Sequence, residues 1–245
     1  MLRDFEMKPE IAADDWGFSK GINEGILDLA RLGIVQTVSL VANAPHLNHG
    51  LSELKTIKGV KFAWHMNFTA GKPLTQVAQP KCFPTLKEFI WLWWSGKIKS
   101  FELIGEARAQ IQLLKEMVGN ISEGDGHHHV HLVPGVLELI QPLYKEFGIT
   151  SIRLPMEKSH LTSYLGSQYV WWRQKKFSNL KLRVYGYPQP KHFTSAQEFL
   201  RTTKMGERPI LVHPAAYDDF KGNPYGDTLC EERVLQYNFL REWFV

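Results

Sequence analysis

Cysteine is nearly absent from this chain: among 245 residues there are only Cys82 and Cys230. The two match no zinc or redox spacing, which excludes a disulfide framework or a thiolate metal cluster as the organising feature and suits a reducing compartment. Charge of one sign is also lacking. The formal net charge is +4, and Lys and Arg are scattered rather than striped. A nucleic-acid-binding face is therefore not expected, while a phosphorylated or polyanionic ligand stays open. No run approaches the roughly 18 apolar residues needed to span a bilayer. The best candidate, Phe89 to Trp94, is closed by Ser95-Gly96-Lys97. Met1 to Glu10 is charged and reads as no secretory signal. A soluble, cytoplasmic protein is the expectation.

What is present is an ordinary globular composition, 44% hydrophobic and 22% charged, enough for a sizeable core. No linker, repeat or low-complexity stretch breaks the chain, so residues 1–245 read as one domain. Ile11-Ala12-Ala13 is a short apolar run that stops at Asp14-Asp15-Trp16-Gly17. Helical spacing of Ile22, Ile26, Leu27 and Leu29 follows, up to Gly33. The same order, strand then polar cluster then helix, recurs where Val60 to Trp64 delivers His65, and again at a histidine-rich stretch before Val136 to Leu139. Further strands over 149–152 and 209–212 deliver Arg153 and His213. Repeated βα units predict an α/β fold with a mostly parallel sheet or barrel.

The densest chemistry lies in Asp125-Gly126-His127-His128-His129-Val130-His131, which holds four of the ten histidines. If the stretch is extended, alternation puts His127, His129 and His131 on one face. Imidazole is the commonest protein metal ligand, and a carboxylate just before it can join the site or orient a ring. Asp14, Asp15, His65, His127, Arg153 and His213 all fall at or just beyond predicted strand ends, which converge on one face of a parallel barrel. Asp15, His65 and His127 offer one carboxylate and two imidazoles for a divalent metal. Adjacent Asp14 points elsewhere if the strand is regular and is available as a general base. His213 could protonate a leaving amine, and Arg153 could tune Asp14 or hold an oxyanion.

Each residue alone has a plainer explanation. An Asp-Asp pair before Gly is often a turn or cap, and a lone histidine is more often a satisfied core residue. Phe89, Ile90, Trp93 and Trp94 share a helix face and read as core or subunit interface, with no membrane contact expected. Glu106 and Gln110, one turn apart, read as a solvated face. The convergence of five strand ends carries the functional reading.

The motifs Ala-Asp-Asp-Trp-Gly-Phe-Ser-Lys-Gly (13–21), His-Met-Asn-Phe-Thr-Ala-Gly-Lys-Pro-Leu (65–74), Asp-Gly-His-His-His-Val-His-Leu-Val-Pro-Gly (125–135) and Val-His-Pro-Ala (212–215) resemble the YdjC family of carbohydrate deacetylases, most closely its chitooligosaccharide branch. The resemblance covers roughly residues 10 to 220. It implies a distorted seven-stranded (β/α) barrel, a divalent metal (magnesium or zinc), a homodimer, and hydrolysis of the N-acetyl group of an amino sugar or oligosaccharide. Alternation cannot choose among His127, His129 and His131. The resemblance implies Asp15, His65 and His127 as ligands and Asp14 as base, leaving His129 and His131 to orient neighbours or contact sugar, with Asn67 of the second motif a further contact. Trp16 and Trp64 depart from the family pattern and would add aromatic surface for a sugar ring. Residues 155–205 match nothing and are expected to carry substrate choice. Two rival functions remain: a sugar-binding protein without turnover, and a metal-dependent hydrolase of another ester or phosphoester.

Overall fold

The computed structural model describes residues 10–75, 83–155, 161–186, 209–219 and 230–244. Among these, seven strands form one sheet: β1 (Ile11–Trp16), β2 (Thr37–Leu40), β3 (Lys61–Met66), β4 (Glu123–Gly126), β5 (Ser151–Pro155), β6 (Lys181–Tyr185) and β7 (Ile210–Val212). Their spatial order is β6-β5-β4-β3-β2-β1-β7, and every pairing is parallel. A parallel bridge between Gly186 and Ile210 joins the two outer strands, so the sheet curls into a nearly closed barrel. All six residues of β1 are buried, as a parallel strand covered on both faces requires.

Around the sheet lie α1 (Lys20–Arg31), α2 (Leu51–Leu54), α3 (Leu86–Trp94), α4 (Ser100–Val118), α5 (Val136–Phe147), α6 (Leu161–Trp172) and α7 (Cys230–Phe244). Ser19 caps α1 by accepting the Ile22 N–H at 3.1 Å, and Ile22, Ile26 and Leu29 turn its apolar face inward. α5 stops at Gly148, whose φ of 72° closes the helix left-handedly. α2 is a single turn of four residues. The Thr56 hydroxyl turns back onto the Glu53 carbonyl at 2.7 Å, and Gly59 at φ 88° redirects the chain toward β3.

Glu106 and Gln110 are a correction. Both are buried rather than solvated. The Glu106 carboxylate accepts the Leu74 and Thr75 N–H groups, and Gln110 accepts from Trp64 Nε1 and donates to the Asn67 carbonyl. Their i, i+4 spacing is thus an inward polar seam that ties α4 to the end of β3. The α3 stripe is divided. Phe89 is buried and stacks on Phe68, and the Trp93 indole donates to the Pro134 carbonyl at 3.1 Å. Trp91 and Trp94 are exposed. Of the 155–205 stretch, residues 156–160 and 187–205 lie outside the described residues, as does Cys82.

Candidate active site

Two departures from regular backbone build the site. A regular strand would send Asp14 and Asp15 to opposite faces. The β1–β2 register instead shifts between Ala13 and Trp16, and Asp15 takes a φ of 70°. This bulge aims both carboxylates at one cluster: Asp15 Oδ1 lies 3.1 Å from His65 Nε2, and Asp14 Oδ2 lies 3.9 Å from His65 Nδ1. A left-handed residue costs about 1–2 kcal/mol, least for Asp, Asn and Gly. Gly17 completes the bend at φ 108°, where a Cβ would meet Ala44 Cβ at 2.7 Å.

The histidine run is the second departure, and it corrects the alternation argument. β4 ends at Gly126, and His127–Leu132 forms a tight 3₁₀ segment with His128 at φ 51° and His129 at φ 55°. Its histidines therefore do not share a face. His127 enters the cluster, with Nδ1 3.0 Å from Asp15 Oδ1. His128 is exposed, packs its ring on that of His127 at 3.9 Å, and meets Thr69 Oγ1 at 3.1 Å. His129 is half-buried. His131 is fully buried, with Nε2 3.0 Å from the Arg153 carbonyl oxygen, so it braces the framework rather than facing a ligand.

β3 and β4 are in register at His65 and Asp125, which brings His65 Nδ1 to 2.8 Å from Asp125 Oδ1. A carboxylate on one ring nitrogen fixes the tautomer and turns the other toward the cluster. Two buried cations balance the acids. Arg153 donates to Asp14 Oδ1 at 2.5 Å and to Ser39 Oγ at 2.9 Å, and lies 2.6 Å from Asp125 Oδ2. Arg233, from α7, donates to Asp15 Oδ2 at 2.6 Å. His213 follows β7 with Nε2 4.0 Å from both Asp14 Oδ2 and Asp15 Oδ2, and its backbone N–H is held by Gln236 Oε1 at 2.7 Å.

Burial opposes ionisation of Asp14, but Arg153, His65 and His213 overcome it and hold the carboxyl down to about 2. Asp15 is likewise held well below the usual carboxylate range, burial being outweighed by Arg233 and His127. Burial alone would lower His65, yet Asp125 and Asp14 raise it well above the usual imidazole value. His131 is pushed down to about 3, chiefly by burial.

The structure thus brings Asp14, Asp15, His65, His127, Arg153 and His213 together at the C-terminal ends of the strands. Trp16, Trp64 and Asn67 are not presented to a ligand. Both indoles are fully buried, donating to the Leu47 carbonyl and to Gln110 Oε1 respectively. An indole burying on the order of 200 Å2 contributes about 5 kcal/mol, so these substitutions serve the core. Asn67 closes the turn after β3, accepting the Thr69 and Ala70 N–H groups and donating to the Ala70 carbonyl. Ser39, Arg233 and Gln236 escaped the sequence reading: none sits in a recognisable motif, and α7 reads locally as a packing helix.

Asp15, His65 and His127 offer one ligand atom each, all within 4.8 Å of one another, and Asp14, His65 and Asp125 form a second such group. Among the described residues, His127 Nε2 is buried without a hydrogen-bond partner, and His65 Nε2, though 3.1 Å from Asp15 Oδ1, makes no aligned hydrogen bond. One carboxylate and two imidazoles with buried nitrogens to satisfy fit a divalent ion.

Fold and site together define a class: a parallel α/β barrel that gathers a buried Asp/His cluster, able to hold a metal, at its strand ends. Within that class the chain belongs to the YdjC-like protein family, whose model matches residues 10–244. It is 31% identical over 160 residues to a carbohydrate deacetylase of Danio rerio, an alignment covering 62% of this chain and 51% of that one. A chitooligosaccharide deacetylase of Escherichia fergusonii is 30% identical over 57% of this chain and 56% of its own length. The chain thus spans about half the length of these curated relatives, although 27% identity to a carbohydrate deacetylase of Vibrio parahaemolyticus extends over 94% of this chain and 87% of that one. A crystal structure from Enterococcus faecalis, described as a candidate cellobiose-phosphate cleavage protein, superposes with a TM-score of 0.72 over 94% of this chain and 89% of that chain at 18% identity, and shares the fold.

Proposed function

We propose that this protein is a metal-dependent hydrolase that removes the N-acetyl group from an amino sugar or N-acetylated oligosaccharide. The observation that carries the reading is the pairing of a ligand-type group, Asp15, His65 and His127, with an adjacent carboxylate, Asp14, that is held ionised by Arg153. The names of the relatives point to the same chemistry.

Asp15, His65 and His127 would hold the ion, and two imidazoles with one carboxylate favour zinc over magnesium. A divalent ion there would supply Lewis-acid polarisation of the amide carbonyl and make water a stronger nucleophile. Asp14 takes the proton of the attacking water. Its Oδ1 is held by Arg153, which leaves Oδ2 on the side of His213. A carboxyl held to about 2 is ionised at neutral pH, so Asp14 enters the reaction as the carboxylate. His213, with Nε2 4.0 Å from Asp14 Oδ2, would donate a proton to the departing amine. Arg153 acts through Asp14, since its two terminal nitrogens are engaged by Asp14, Asp125 and Ser39. Asp125 and Arg233 position His65 and Asp15.

The test is acetate release from N-acetylglucosamine and its oligomers by protein loaded with zinc or magnesium, with a chelated control. Metal-dependent release is expected. Phosphate release from sugar phosphates without acetate release would favour the phosphoester alternative, and sugar binding without any product would favour the binding protein.

A further inference from the structure

The histidine turn brings His127 into the cluster, but the proposed reaction gives no task to the residue that follows it. His128 sits at φ 51°, a conformation that costs energy for any residue but glycine and that collects at functional sites. What the strained backbone produces is a contact. The exposed His128 ring lies over His127, with centroids 3.9 Å apart and planes 34° from parallel. Phe18 meets the same His127 ring edge-on at 4.7 Å.

Side chains at a surface ordinarily sample several rotamers. This one is anchored. His128 Nδ1 lies 3.1 Å from Thr69 Oγ1, and Thr69 is buried. The Thr69 backbone N–H donates to Asn67 Oδ1 at 3.1 Å. Asn67 is held in turn by Gln110 of α4, which accepts the Asn67 N–H at 3.1 Å and donates to its carbonyl at 2.7 Å. A chain of contacts therefore runs from the interior of α4, through the turn after β3, to a ring on the surface.

His127 is where such an anchor has an effect. Asp15 Oδ1 holds its Nδ1 at 3.0 Å, a single contact about which the imidazole can still roll. Its Nε2 is buried without a hydrogen-bond partner. A ligand nitrogen must present its lone pair within a narrow range of direction, and a second ring packed on the first blocks the roll that would spoil it.

We propose that His128 is a positioning residue for the metal site: anchored by Thr69, its ring holds the His127 imidazole in the orientation a divalent ion needs. The proposal rests on the metal-dependent reading and adds a residue that orients a ligand without binding the ion.

The test measures zinc affinity, the ligand-field spectrum of the cobalt-loaded protein and the melting temperature of the apo protein in wild type, His128→Gly, His128→Phe and Thr69→Val. His128→Gly should bind zinc about 10- to 100-fold more weakly and shift the cobalt spectrum. Its apo melting temperature should not fall, because glycine accepts the left-handed backbone. His128→Phe keeps a ring face and removes both nitrogens, and should restore most of the affinity. Thr69→Val should fall between. Unchanged zinc affinity in His128→Gly overturns the proposal. Equal losses in His128→Gly and His128→Phe overturn it too, since His128 would then be a ligand in its own right. So does a loss matched by a lower apo melting temperature, which would make the role one of folding. If wild type binds no divalent ion, the functional reading fails separately. The His127 imidazole proton signals of the apo protein then decide the clamp: broadening by ring motion in His128→Gly alone upholds it, and signals as sharp as in wild type refute it.

Discussion

The Asp14-Asp15 bulge and the histidine turn solve the same problem in different ways. Each must deliver a side chain from a strand end into a buried cluster, and each uses left-handed backbone at residues other than glycine. The bulge spends one such residue and converges its neighbours, so both carboxylates reach the cluster. The turn spends two and disperses its neighbours: His127 goes to the cluster, His128 and His129 to an apolar groove between α3 and α6, and His131 to the Arg153 carbonyl. Backbone geometry, not residue type, decides which member of a polar run becomes functional. The two stretches also differ in compensation. Both aspartates are neutralised by arginines from distant elements, whereas the dispersed histidines are packed, stacked or exposed.

The largest effect should come from breaking that compensation. Arg233→Met removes the cation bonded to the buried Asp15 Oδ2, leaving only the imidazoles at Oδ1, and should destabilise the fold by about 3–5 kcal/mol. Denaturant unfolding checks this, and an unchanged midpoint would make the pair dispensable. Asp14→Asn should lower acetate release by about 10²–10⁴-fold while metal stays bound. Parallel activity and metal titrations separate this outcome from loss of the ion. Asp125→Ala removes the acceptor that orients His65, and metal affinity should fall about 10- to 100-fold. Calorimetry reads it directly.

A smaller, pH-dependent effect distinguishes His131 from the rest of its run. Burial depresses its folded-state value from 6.5 to about 3, so the neutral form is the folded form. The stability it contributes is fully present above 6.5. As pH falls toward 3, the unfolded chain takes up a proton that folded His131 refuses, at about 1.4 kcal/mol per pH unit. His131→Gln should therefore show a shallower loss of stability than wild type between pH 6.5 and 4. Parallel slopes in melting experiments would count against the buried neutral imidazole.

Much of this was legible in the sequence because it is local. Apolar runs ending in Asp14, His65 and His213 mark β1, β3 and β7, and the alternation with helices gives the parallel α/β barrel. The motif resemblance supplied the family and singled out His127. Three kinds of information were not local. The bulge at Asp15 reversed the expected divergence of the two carboxylates, since nothing in an Asp-Asp pair reports a φ of 70°. Arg233 and Gln236 sit on a terminal helix whose inward face is set by tertiary packing. Trp16, Trp64 and Asn67 lie next to motif residues in sequence, yet burial turns them into framework.

The most direct test of the account is isothermal titration of zinc into wild type, His127→Ala, His129→Ala and His131→Ala. One high-affinity site is predicted in wild type, lost in His127→Ala and kept in the other two. Retained binding in His127→Ala, or its loss in His129→Ala with the fold intact, would contradict the claim that the left-handed turn selects His127 alone for the cluster.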